Sequence, residues 1–125
     1  MKQEILLVDD ERSARLAVKG VLESAGWTVC DVPDAESAIE ALGGFEPDLV
    51  LLDVMMPVTN GYELCRRIKK HRPGLSVVFL TALDMPENEI AGLELGADDY
   101  VSKSAPPEVL VARVRSALRR SGVVT

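Results

Sequence analysis

Asp9, Asp10, Asp53, Thr81 and Lys103 are the residues of this sequence whose types could do chemistry together. Carboxylates brought close repel one another and raise each other's pKa unless a cation intervenes. A hard divalent ion such as Mg²⁺ suits them, because it takes one or two carboxylates, several waters and a phosphate oxygen. Thr81 has a hydroxyl that can donate to a phosphoryl oxygen, and Lys103 has a compact positive charge for the same group. The combination describes a site for a phosphoryl group, with Asp53 as the nucleophile that would accept it. Each residue also has an ordinary reading. An acidic pair is more often a solvated turn or helix cap, a threonine an ordinary strand residue, and a lysine a surface charge. The chemistry stands only if the fold gathers them.

The setting of Asp53 raises that question most sharply. In "LVLLDVMMPVTNG" an apolar run, Leu49 to Leu52, ends on the carboxylate, and a turn closes at Asn60-Gly61. A carboxylate at the mouth of a buried strand is costly unless something charged pairs with it.

The remaining elements alternate in type. Apolar runs at Ile5–Val8, Thr28–Val32, Leu49–Leu52, Val77–Leu80 and Asp99–Ser102 read as strands. Between them lie helical patterns over Ser13–Ala25, Asp34–Leu42, Gly61–Lys70 and Glu87–Leu95, and Pro107–Arg120 follows. Gly26, Gly43-Gly44, Pro73-Gly74 and Gly96 stop the first four helices, and Pro107 suits the first turn of the last. Repeated strand–helix units with apolar strands imply a parallel sheet covered on both faces. Sites in such sheets form beyond the carboxyl ends of the strands. Asp9-Asp10, Asp53, Thr81 and Lys103 all fall at that end, and the acids converge if the first and third strands are neighbours.

Composition narrows the function. The 125 residues suffice for one domain, with 47% hydrophobic and 27% charged residues and a net charge of −6. That balance argues against gripping a nucleic-acid backbone, which needs a basic face. Cys30 and Cys65 read as small buried hydrophobes in a reducing compartment, and His71 as a solvated helix-end residue. The first apolar run is too short for a signal peptide and no segment could span a bilayer, so a cytoplasmic protein without membrane contact is expected.

With these residues in view, the sequence resembles the receiver domains of bacterial two-component response regulators. "ILLVDDE" resembles the family's first strand and acidic pair, and "LVLLDVMMPVTNGYEL" its phosphoacceptor strand and Met-Pro…Gly loop. "VVFLTAL" and "GLELGADDYVSK" are similar to its later segments, ending in the lysine. The resemblance implies an α/β, flavodoxin-like fold: a single doubly wound five-stranded parallel sheet, order 2-1-3-4-5, with five helices. It implies a receiver domain over residues 1–121, with 122–125 a tail or the start of a linker.

By position, Asp53 would be phosphorylated, and Asp9, Asp10, Asp53 and the backbone carbonyl of Met55 would hold Mg²⁺. Thr81 and Lys103 would bind the phosphoryl group, Tyr100 would be the switch aromatic, and Ala82 would leave access to the site. A histidine kinase or phosphotransfer protein would be the donor. Homodimerisation through the fourth helix, fifth strand and last helix, and an effector domain in a longer chain, are further implied partners. One departure is plain: the family usually follows its lysine with a cis proline, and here Ser104 stands there. A cis bond before a non-proline residue costs about 2.5–4 kcal/mol, so a trans bond and a reshaped loop are expected.

Three functions compete. The first is a phospho-accepting switch that catalyses only its own phosphorylation and dephosphorylation. The second is a receiver-like interaction module that works without phosphorylation, supported only by the missing proline. The third is a Mg²⁺-dependent phosphatase, which commonly carries a second acid two residues after its nucleophile, where this chain has Met55.

Overall fold

The computed structural model describes residues 2–54, 61–81 and 98–120, with only the backbone of Thr81. Its order is β1 (Glu4–Val8), α1 (Arg12–Ser24), β2 (Thr28–Val32), α2 (Ala35–Leu42), β3 (Leu49–Asp53), α3 (Gly61–His71), β4 (Ser76–Thr81), β5 (Asp99–Ser102) and α4 (Pro107–Arg120). The helix expected over 87–95 lies outside the described residues. All neighbouring strands run parallel, in the order β2-β1-β3-β4-β5.

Side chains alternate across the sheet, so each strand feeds two cores. Leu6, Val8, Val50, Leu52 and Phe79 pack toward α2 and α3, with Leu64 and Ile68. Ile5, Leu7, Leu51, Val78 and Leu80 pack toward α1 and α4, with Leu22, Val114 and Leu118. Because both faces of β1 and β3 are covered, these strands carry apolar residues without interruption.

Local signals explain the ends of the elements. Asp34 caps α2 by accepting the Ser37 N–H at 2.7 Å, and that hydrogen bond lowers its carboxyl pKa. Gly26 takes a φ of 102° just past α1, a conformation that favours glycine. Arg72 closes the end of α2 by donating to the carbonyls of Leu42 and Phe45. His71 is exposed in the last turn of α3.

One expectation fails. Cys30 is exposed rather than buried, because β2 is the edge strand and only Val29 in it is fully covered. Cys65 is buried, and burial pushes its thiol up to about 11. No described helix is long and apolar enough to cross a membrane.

Candidate functional site

The register of the sheet builds the site. Val8 stands level with Leu52, so the next residues, Asp9 and Asp53, leave β1 and β3 side by side. Asp53 is itself the last residue of β3, opposite Leu80. Thr81 is level with Ser102, which brings Lys103 to the same edge. Oxygens of Asp9, Asp10 and Asp53 all lie within 4.8 Å of one another.

Burial makes this cluster costly. Asp9 is 0% exposed and Asp53 2%, whereas Asp10 is exposed. Lys103 supplies the charge within reach: its Nζ lies 2.9 Å from Asp9 Oδ2 and 3.3 Å from Asp53 Oδ2. Burial lowers the lysine's pKa, but Asp9 and Asp53 outweigh it and the net shift is upward. The ammonium donates a hydrogen bond to Asp53. Toward Asp9 it forms an ion pair off the hydrogen-bonding direction, and Asp9 Oδ2 has no hydrogen-bond partner among the described residues. A buried carboxylate oxygen left this way, beside two other carboxylates, fits a hard cation with oxygen ligands. The ordinary reading of the acidic pair as a cap does not hold: Glu11 is the N-cap of α1, and Asp9 Oδ1 accepts the Glu11 N–H at 3.0 Å.

The backbone leaving β3 is tightly confined. Gly61 opens α3 and donates to the Val54 carbonyl at 2.8 Å. A Cβ there would lie 2.7 Å from Val54 Cα and closer still to the Asp53 carbonyl oxygen. The glycine is needed for this close approach behind the carboxylate.

The peptide bond between Lys103 and Ser104 is trans. A turn in which Ser104 N donates to Ser102 Oγ and Ala105 N to the Ser102 carbonyl carries the lysine back over the strand ends. Tyr100 is half-buried on β5 and packs against the core on the α3 side. Met55 and Ala82 lie outside the described residues, as does the side chain of Thr81.

Sequence reasoning does not single out Arg15 or Asp31, which the fold places beside the acids. Arg15 donates to the Asp9 carbonyl and to Asp31, and Lys19 takes the other oxygen of Asp31. The signal for them is an acid inside a strand, matched by two cations one turn apart on the helix that follows the acidic pair.

Comparison with known proteins agrees with this fold. Residues 5–115 match the response regulator receiver domain. The chain is 43% identical over 121 residues to the "probable transcriptional regulatory protein TcrX" of Mycobacterium tuberculosis, covering 97% of this chain and 52% of that protein. It is 39% identical to the alkaline phosphatase synthesis transcriptional regulatory protein PhoP of Bacillus subtilis, over 98% of this chain and 51% of the relative. It therefore spans about half the length of the curated relatives it matches. Among solved structures, the BeF3-activated N-terminal receiver domain of Klebsiella pneumoniae RstA superimposes with a TM-score of 0.88 at 38% identity, covering 94% of this chain and 99% of that one.

Proposed function

The chain belongs to the receiver-domain family of two-component response regulators, and from that premise we propose that Asp53 is its phosphoacceptor. The observation that carries this reading is a buried carboxylate at the end of β3, with an ammonium at 3.3 Å and two further acids beside it. An Asp53 oxygen attacks the phosphorus of a phosphohistidine donor. The new P–O bond forms as the P–N bond breaks, and the imidazole leaves. Lys103, 2.9 Å from Asp9 and 3.3 Å from Asp53, would pair with an oxygen of the transferred group.

Asp9, Asp10 and Asp53 would hold Mg²⁺, with the Met55 carbonyl as a further ligand. When bound, the ion would offset the charge of the carboxylates and of the transferred group. Thr81, at the end of β4 and level with Ser102, would take a phosphoryl oxygen, and Ala82 would leave room for access. Tyr100 would report the change from β5, biasing a two-state equilibrium rather than driving a new fold. Any catalysis would be confined to the domain's own phosphorylation and dephosphorylation. The donor would be a histidine kinase or phosphotransfer protein, in the cytoplasm. The family's relatives named above are transcriptional regulators about twice this length, which favours an effector domain following the receiver in the whole protein.

Incubation with Mg²⁺ and a small acyl phosphate tests the reading. Stoichiometric labelling that Asp53→Asn abolishes is expected. Retained label in that variant, mapped elsewhere by mass spectrometry, would refute the assignment. Absence of labelling in the wild type would leave an interaction module, and continuous turnover of a phosphomonoester would indicate a phosphatase.

A further inference from the structure

Arg15 holds partners on two different strands. Its Nη1 donates to the backbone carbonyl of Asp9 at 2.9 Å, at the end of β1. Its Nε donates to Oδ2 of Asp31 at 2.9 Å, on the edge strand β2. The side chains are largely buried, at 13% exposure for Arg15 and 17% for Asp31. Lys19 takes Oδ1 of Asp31 at 2.8 Å and makes no hydrogen bond or ion pair with Asp9 among the described residues.

The Asp9 peptide is consequently fixed at every polar group. Its N–H donates to the Val32 carbonyl at 3.2 Å, its C=O accepts from Arg15, and its Oδ1 accepts from Glu11 N–H at 3.0 Å. What remains is Oδ2, buried beside Asp10 and Asp53, ion-paired with Lys103 at 2.9 Å and otherwise without a partner among the described residues. A guanidinium can serve both partners because its N–H groups leave in fixed, divergent directions, which an ammonium on a lysine stem cannot reproduce. Asp31 offsets only one of the two cations that it pairs with, so the cluster of Arg15, Lys19 and Asp31 keeps a net positive charge.

We infer that Arg15, anchored by Asp31, is a positioning residue for the acidic site: it locks the Asp9 peptide so that Oδ2 is presented to a divalent cation. The inference rests on the reading of Asp9, Asp10 and Asp53 as the metal site. It makes a prediction of unusual sign. Simple electrostatics says that deleting a cation beside the acids should tighten Mg²⁺ binding. Loss of positioning says the opposite, and groups that orient metal ligands commonly cost about 10–100-fold in affinity when removed.

The test is Mg²⁺ titration by calorimetry of this chain, wild type against Arg15→Met, Arg15→Lys and Lys19→Met, with circular dichroism to verify folding. Arg15→Met and Arg15→Lys should bind Mg²⁺ about tenfold more weakly. Lys19→Met, which removes an ion pair to the same aspartate, should leave the affinity unchanged. Wild-type affinity or tighter binding in Arg15→Met overturns the inference. If Arg15→Met does not fold, Arg15→Lys and Lys19→Met decide, and equal affinities in those two overturn it. Mg²⁺ binding absent from the wild type, or indifferent to Asp10→Ala, would instead overturn the metal reading and this inference with it.

Discussion

Lys103 holds its ammonium 3.3 Å from Oδ2 of Asp53 although a trans bond joins it to Ser104. The reach therefore does not depend on a proline after the lysine. It follows from the register of β5 on β4 and from the turn that hydrogen-bonds back to Ser102. The same ammonium pairs with Asp9, so one cation serves two carboxylates almost wholly out of water.

Replacing Lys103 with Met should therefore destabilise the domain in metal-free buffer, by roughly 1–3 kcal/mol, because buried carboxylates lose their counter-charge. Mg²⁺ should stabilise this variant more than the wild type, since the ion would restore that charge. Denaturant unfolding with and without Mg²⁺ reads both effects. An increment equal to the wild type's would mean that lysine and metal do not share these carboxylates.

Asp10 is exposed, so its side chain can be removed with little effect on packing. Asp10→Ala should keep or slightly raise the melting temperature without metal, because one of three mutually repelling carboxylates has gone. It should lose the rise that Mg²⁺ gives the wild type. An undiminished rise would place the metal elsewhere.

How much of this was legible beforehand depends on the range of the interaction. The run Leu49–Leu52 and the capping Asp34 are local signals, and both elements form where expected. The meeting of Asp9 with Asp53 is not local: it needs Val8 level with Leu52, and the strand order came from family resemblance. Cys30 misled because an edge strand and an inner strand can share an apolar composition, and only sheet order tells them apart. Arg15 stayed hidden for a related reason. Nothing in its neighbourhood of sequence says that one guanidinium will bridge two strands.

The Asp31 pair has a definite pH dependence. The hydrogen bond from Lys19 lowers the Asp31 carboxyl pKa, burial opposes it, and Arg15 lowers it further. With the folded value below the unfolded value of about 3.9, the unfolded state binds more protons in that range. The stabilisation is present above about pH 4 and is lost as pH falls through the lowered folded value. The gap in melting temperature between wild type and Asp31→Asn should accordingly be wide at neutral pH and close under acid. A gap independent of pH between neutrality and pH 2 would show that the pair contributes by shape rather than by charge.

Arg113, Arg115 and Arg120 of α4 separate into two flanks, and that decides which of them could pair with a second copy. Arg113 Nη1 pairs with Asp99 at 3.0 Å, and Arg120 Nη2 donates to the Asp98 carbonyl at 2.8 Å, both on the β5 side. Arg115 instead lies 5.6 Å over the ring of Trp27, on the α1 side. The acidic helix expected at Glu87, Glu89 and Glu94 lies outside the described residues, but Asp98 and Asp99 together with Arg113 and Arg120 already put both signs of charge beside β5. A face with both signs can pair with its own copy across a two-fold axis. Beryllofluoride with Mg²⁺ should shift the chain from monomer, or weak dimer, toward dimer in sedimentation velocity. Arg113→Glu should abolish the shift, because it places like charge against Asp99. Arg115→Ala should retain the shift while changing the fluorescence of Trp27, the sole tryptophan. If the mimic binds Asp53 and the association state never changes, the β5 flank signals to a different partner and the homodimer proposal fails.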